Sequence, residues 1–298
     1  MPVMAGQREQ SAYDARRLVA MVKPDFFSPG QPLDEVAEAI WDVDFDNAIT
    51  ARALTIKVLP TTSPVLVVHY RAAMTTEHRP EYRRAANGMQ TKSLTLRPSG
   101  PVGAVLVRLK AEEASRVLGC DLADITNASI ELSDIFGNRE ASLLAESLAA
   151  AKSAGERVAR MRRFLLNRME ARRIDPVARE AILALKRDPA ITMNELVSHL
   201  GVGERNLQRR FKKQIGISPK QFARVARIQS VVAVRLKGSD WANVAYEVGY
   251  NDQAHLINDF RSLVGAPPEA FFRSTTGAEY RHWNARLAAS DFYNTFLI

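Results

Sequence analysis

The chain has 298 residues, enough to bury a large core and, by length, to hold two domains. At 46% hydrophobic and 25% charged residues it reads as soluble and globular, and no apolar run approaches the roughly 20 residues that cross a bilayer. The opening MPVMAGQREQSAYDARR has no apolar signal region, and the one cysteine, Cys120, excludes an internal disulfide and argues against a Cys-based zinc site, so the expected setting is the cytoplasm, with no membrane contact.

Mixed strand and helix is expected over the first half. The opening acidic and apolar segment Leu33–Phe45, with Trp41, gives no clear assignment. Ala51–Leu59 and Pro64–Tyr70 are β-branched runs split by the turn Pro60–Pro64. Lys92–Arg97 alternates apolar and polar residues, Pro98–Pro101 makes a turn, and Val102–Leu109 is a further strand. A helical pattern from Ala111 stops at Gly119, and Asn138–Ala150 and Glu156–Arg172 follow as helices. The last has Val158, Met161, Leu165, Leu166 and Met169 on one face and arginines around the rest. The fold class expected is thus an α+β domain, with a small or barrel-like sheet and helices, followed by an all-α domain. Boundaries fall at 1–150 for the first domain, 151–174 for a helical linker, 175–274 for the second domain and 275–298 for a tail.

Charge follows the same division. Residues 1–154 carry 17 Lys+Arg against 19 Asp+Glu, and residues 155–298 carry 24 against 14. All of the positive excess lies in the second half, which suits a polyanionic partner for one domain, although a solvated basic surface gives the same count.

Within 175–274 every element reads as helix. Asp175-Pro176 is a helix start, Pro189 closes that helix, and Thr192 caps the next. An internal repeat then stands out. Leu196, Leu200 and Gly201 recur 48 residues later as Val244, Val248 and Gly249; after a one-residue insertion, Leu207, Phe211, Gly216, Pro219 and Phe222 recur at an offset of 49 as Leu256, Phe260, Gly265, Pro268 and Phe271. Each copy has a short helix with an apolar face, a glycine able to take positive φ in a tight turn, and a second helix with two apolar residues four apart. Asp252 is a good cap for the second of these helices; Gly203, its counterpart, is a weaker one. The polar faces are Arg205, Gln208, Arg209 and Lys212 in one copy and Gln253, His255, Asn258 and Arg261 in the other. Arginine pairs bidentately with guanine, and glutamine or asparagine with adenine, in the major groove, so these eight are the candidate DNA-binding residues.

Leu196–Phe222 followed by Trp241–Phe271, and above all Gly249–Arg261 with Gly265–Phe271, resembles the AraC/XylS family of transcription regulators. The resemblance covers about residues 175–273. It implies seven helices, a long one over Pro219–Leu236 with the stripe Phe222, Val225, Ile228, Val232 and Leu236, and two recognition helices about 34 Å apart in successive major grooves. The family often has a basic residue where Asn258 stands and Ser or Thr where Gly203 stands. The first recognition helix is therefore expected to supply most base contacts, and the second mostly orientation. Residues 1–150 more faintly resemble the sensor-like domain of an uncharacterised subgroup of this family. The residues that carry it are Val58–Pro60, Pro64–His69, Val105–Lys110 and Leu118-Gly119. Such a domain binds a small effector or mediates dimerisation.

Other residues read more plainly. His69, in an apolar strand, is expected to be a satisfied core histidine. His255 divides evenly between a phosphate contact and helix packing. Cys120 invites comparison with DNA-repair methyl-acceptor proteins, but Asp121 beside it disfavours a thiolate, and it reads as a small core residue. Trp241 reads as core. The tail, with Tyr280, Trp283, Phe292, Tyr293 and Phe296, reads as a helix packed on the body or a docking peptide. No catalytic triad, phosphate loop or metal pair stands out, so a non-enzyme without cofactor, metal or catalytic residues is expected. The expected function is sequence-specific transcription regulation controlled by an effector or partner at the first domain. Alternatives left open are a DNA-binding domain fused to a protein-interaction or dimerisation module that takes no small molecule, and an enzyme fused to such a domain. The expected partner is double-stranded DNA, with RNA polymerase, a small-molecule effector and a second copy of the chain as further candidates.

Overall fold

The computed structural model describes residues 23–45, 55–76, 82–170, 174–275 and 295–297. Ten strands, eleven α-helices and two short 3-10 turns occur among them, the strands chiefly before residue 132 and the helices after it. Strands β1 (Lys23–Phe27), β2 (Ala37–Phe45), β8 (Val102–Leu109), β4 (Val65–His69), β6 (Arg84–Asn87) and β9 (Ser129–Glu131) form, in that order, a six-stranded antiparallel sheet. A second sheet runs β10 (Thr295–Leu297), β3 (Ile56–Val58), β7 (Leu94–Pro98) and β5 (Met74–Thr76).

The expected strands at Val102–Leu109, 64–70 and 92–97 are present within a residue or two, and the α+β order of the chain holds. Of the run 51–59 only the end, β3, is described, because residues 46–54 lie outside the described residues. The tail aromatics also lie outside them, apart from the three residues of β10. Those three pair with β3 as a strand, so the expected tail helix does not include them.

Leu33–Phe45, unplaced from sequence, supplies β2, the longest strand of its sheet. Its register puts Ile40 beside Val107 and Trp41 beside Leu106. Acidic residues are poor strand formers, yet Asp42 is buried here because Arg157, from a helix far along the chain, bonds both of its oxygens at 2.8 Å. The same guanidinium sits 4.4 Å from the centre of the Tyr70 ring, and burial followed by the charges of Asp42 and Asp44 pushes the Tyr70 phenol up. Arg157, one of the arginines around the rest of its helix, is thus the buried counter-ion of Asp42. Leu166, expected on the apolar face of that helix, is exposed instead, while Val158, Met161 and Leu165 are fully buried.

Alternation sends Leu66, Val68, Val105 and Val107 to one face of the six-stranded sheet. They pack against α1 (Ser115–Leu118), α2 (Leu132–Phe136), α3 (Asn138–Ala149) and α4 (Ala154–Leu166) in a core that continues into the later helices. Cys120 is half-buried against this core. His69 is buried as expected but is not satisfied: neither ring nitrogen has a hydrogen-bond partner among the described residues. Burial, then the nearby Arg83, lowers its pKa to about 4, so the ring is neutral.

Among the described residues, seven helices follow residue 174. They are α5 (Pro176–Arg187), α6 (Met193–Leu200), α7 (Glu204–Ile215), α8 (Pro219–Leu236), α9 (Trp241–Glu247), α10 (Gln253–Val264) and α11 (Pro268–Thr275). The core does not part near residue 174. One cluster runs from the sheet through α4 to Ile182, Leu196, Leu207, Phe211, Ile215 and Phe222. A second, holding Ile228, Val232, Val244, Leu256, Phe260 and Phe271, takes Leu59 alone from the described residues of the first half. On the seam, Lys186 of α5 bonds Glu38 of β2 and Glu112 at 2.9 Å each. Burial pulls its ammonium down, and the two carboxylates outweigh this and raise it. No helix among the described residues is long and apolar enough to cross a membrane.

Candidate nucleic-acid interface

Each repeat copy folds into the same two-helix unit. In the first, Thr192 and Glu195 form a reciprocal capping box that starts α6, and Gly201 ends it at φ +62. In the second, Asp240 caps α9 and Gly249 turns the chain at φ +74. The following helices, α7 and α10, each bury a leucine and a phenylalanine four residues apart: Leu207 with Phe211, and Leu256 with Phe260. Phe211 stacks edge-on with Phe222 at 5.5 Å, and the equivalent pair Phe260 and Phe271 lies at 5.7 Å.

Those buried faces turn the polar faces of α7 and α10 outward. Arg205, Gln208, Arg209 and Lys212 are all exposed, as are Gln253, Asn258 and Arg261. Gln208 donates to Glu204 at 2.8 Å and Arg209 to Asn206 at 3.1 Å, so both side chains lie along the helix surface. His255 differs from the other seven. It is half-buried, with its ring edge-on to Tyr250 at 5.1 Å and its backbone N–H donating to Asp252 at 2.7 Å. The caps differ as the residues predict: Asp252 bonds the first turn of α10, whereas Gly203 gives α7 no side-chain bond. Tyr246, on α9, is 86% exposed and was not singled out from sequence. Trp241 is partly buried against Phe272 and the Arg235 guanidinium.

One pairing was missed, though the repeat itself carried its signal. Arg210 of α7 bonds both oxygens of Asp175, at 3.0 and 2.8 Å. Asp259 of α10 accepts two bonds from Arg224 of α8, at 3.0 and 2.7 Å. Arg210 and Asp259 are 49 residues apart, and so are Asp175 and Arg224. Each recognition helix is therefore tied to the framework helix before it at one matched place, with the charges reversed. Asp175 also caps α5, as expected, by accepting from Val177 and Ala178. The Arg210 bond, its largest favourable partner, holds its carboxyl below the usual range against the opposing effect of burial.

Comparison with known families matches residues 196–274 to a helix-turn-helix domain model. This stretch is an AraC-type helix-turn-helix domain. Residues 25–131 match a domain of unknown function, DUF6597. An AraC-like transcription regulator of Streptomyces lividans is 30% identical over 105 residues, 34% of this chain and 34% of that protein. One of Streptomyces antibioticus is 34% identical over 97 residues, 32% of each chain. The match thus spans about a third of these relatives. Among solved structures, apo ToxT from Vibrio cholerae is similar at 10% identity and a TM-score of 0.46, covering 79% of this chain and 96% of that one. In the AraC-type domain the two copies of the motif are α6–α7 and α9–α10, joined by α8. Helix α8 spans the expected residues and buries Phe222, Val225, Ile228 and Val232 of the expected stripe, with Leu236 partly buried. Among the described residues, no group of three or more His, Cys, Asp and Glu could hold a metal ion.

Proposed function

We propose that the chain regulates transcription by binding a specific sequence of double-stranded DNA through α7 and α10, with its first half governing that binding. The observation that carries this reading is the matched pair of exposed polar faces, each backed by the same aromatic pair and the same framework tie, in the basic half of the chain. Arg205, Arg209, Lys212 and Arg261 supply charge for phosphates and guanine edges; Gln208, Gln253 and Asn258 suit adenine. His255, already packed on Tyr250, acts through its backbone and helix position. A small effector at the first half belongs to the same reading. His69 is the group there that supports it, because a buried ring with two unpartnered nitrogens is a place a polar ligand would satisfy.

Selection of duplexes from a random-sequence pool by the full chain tests the reading. The expected result is an enriched sequence with two separated motifs, and an affinity that falls steeply and linearly on a log–log salt plot. Equal affinity for enriched and random duplexes would refute sequence-specific recognition.

A further inference from the structure

The last carbonyls of a helix have no partner inside it, so whatever holds them also holds the helix. Thr126 Oγ1 bonds Ile215 O at 2.6 Å, the shorter of two carbonyls within reach of its one proton; the other, Leu122 O, is at 2.9 Å. Ser93 Oγ donates to Val264 O at 2.7 Å, and Ser93 N to Leu263 O at 3.0 Å. Ile215 and Val264 are 49 residues apart, the offset of the repeat. The first half of the chain therefore grips the same carbonyl at the end of each recognition helix. At the first grip the approach is close: a Cβ on Gly216, which has φ +86, would lie 3.0 Å from Ala123 Cα and 3.1 Å from Thr126 Cβ.

The two grips belong to one cross-bonded body. Asn127, at φ +60, accepts from Thr91 N and Thr91 Oγ1 at 2.8 and 2.9 Å, and its own N–H donates to Met89 O at 2.8 Å. Gly88 N donates to Ala128 O at 3.0 Å, and a Cβ on Gly88 would lie 1.9 Å from Ile125 O. Thr61 exchanges backbone bonds with Gln90 at 2.9 and 3.1 Å, and the neighbouring Thr62 hydroxyl donates to Gln229 of α8 at 2.9 Å. Segments 61–63, 88–93 and 125–128 thus reach α7, α8 and α10 together.

We infer that this yoke, together with α8, sets the separation and orientation of the two recognition helices, making Ser93, Thr126 and Asn127 positioning residues for operator spacing. The inference rests on the reading that both helices enter one duplex. The cores of the two units are separate clusters joined along α8, and the units also touch at Gly249 and Ala190, so one helix and one close backbone approach resist pivoting of one unit against the other. Gripping both far ends closes that lever into a triangle. The yoke also gives the first half a way to act on DNA. Residues 88–93 join β6 of one sheet to β7 of the other, so a shift between the sheets moves Ser93 relative to Thr126.

The test uses the full chain and the duplex it selects from a random pool, together with versions carrying one base pair more or fewer between the two motifs. One base pair moves a motif by about 3.4 Å and a tenth of a turn, so the wild type prefers its own spacing by about tenfold or more. The double variant Ser93→Ala, Thr126→Val, and separately Asn127→Gly, which keeps the positive φ, reduce that preference to about twofold. The hydroxyl-keeping pair Ser93→Thr, Thr126→Ser restores it, and thermal melts identify any variant that has unfolded. Folded variants that keep the wild-type spacing ratio, or that lose affinity equally at every spacing, would overturn the yoke. A wild-type chain that enriches no duplex would overturn the DNA reading and, with it, the yoke's role in spacing.

Discussion

The two helix-turn-helix units share a backbone plan and differ in what surrounds it. The first merges its core with the β-rich half of the chain and has four exposed candidate DNA contacts, three of them cationic, on its recognition helix. The second keeps a core of its own, receives Leu59 alone from the described residues of the first half, and presents Arg261 as the cation among its candidates. Its framework tie is reversed, with a buried carboxylate on the recognition helix where the first unit has an arginine. Duplication preserves geometry more readily than chemistry, because a tie needs opposite charges and not a particular order of them. The reversal also discriminates between partners. If α7 docked on the framework of the second unit, Arg210 would meet Arg224, and like charges would oppose the exchange.

The turn glycines give the largest test of this difference. Gly201 has φ +62 and open space where a Cβ would stand; Gly249 has φ +74, and its Cβ would lie 2.3 Å from Ala190 Cβ. Gly201→Ala should cost about 1 kcal/mol of stability from backbone strain alone. Gly249→Ala should cost about 3 kcal/mol, since it adds an overlap with the first unit. Adding Ala190→Gly should recover the overlap part, which urea unfolding of the three variants measures. Equal losses at the two glycines would deny the contact between the units.

Next in size are the framework ties. Arg224→Ala leaves Asp259 buried, with the Tyr250 hydroxyl at 3.5 Å as its remaining side-chain partner among the described residues, and should cost about 2 kcal/mol once the partial exposure of Arg224 is allowed for. Arg210→Ala should cost less, because Asp175 keeps two backbone N–H donors and more water. Adding Asp259→Asn to Arg224→Ala should restore much of the loss by removing the stranded charge. If the Arg210 change proved the more damaging, the burial argument would be wrong.

The repeat was legible because its signal is local: glycine, leucine and phenylalanine at fixed spacing report one unit's own turn and core. The capping roles of Asp175, Thr192 and Asp252 were legible for the same reason. What sequence did not yield depends on distant partners. Strand β2 reads as too acidic until Arg157 arrives to neutralise Asp42, and Arg157 reads as a solvent arginine until β2 is placed. Arg210 and Asp259 were in plain view at the repeat offset, but a reversed pair looks like a mismatch when identity is the criterion. Ser93 and Thr126 are ordinary loop hydroxyls until the helix ends they hold are known. The eight candidate DNA contacts rest on pattern and exposure, and binding data on them sharpen the comparison directly. Arg209→Ala should weaken operator binding by about 1–2 kcal/mol and relax one base pair, whereas Asn258→Ala at the matched place should cost less and leave the salt slope unchanged. Isotherms on one operator at several salt concentrations would measure both, and a larger loss at Asn258 would reverse the expected dominance of the first helix.

The smallest effect concerns the caps. Asp252 accepts the His255 N–H at 2.7 Å and satisfies one of the orphan donors at the start of α10; Gly203 leaves the equivalent donors of α7 to water. Gly203 nonetheless has extended backbone, φ −72 and ψ 149, which any residue adopts, and a Cβ there would meet nothing within 4 Å. Gly203→Ser therefore adds a hydroxyl acceptor without strain and also narrows the unfolded ensemble, so it should stabilise the chain by about 0.5 kcal/mol. Asp252→Ala should destabilise by about 1 kcal/mol, because it removes an acceptor already in use. Hydrogen exchange on the first turns of α7 and α10 localises both changes. The serine should slow exchange in α7 toward the rate in α10, and the alanine should speed exchange in α10 toward that of wild-type α7. If Gly203→Ser slowed nothing, the difference between the two first turns would lie outside their caps, and the second unit's lower charge would be left as the distinction that matters at the DNA.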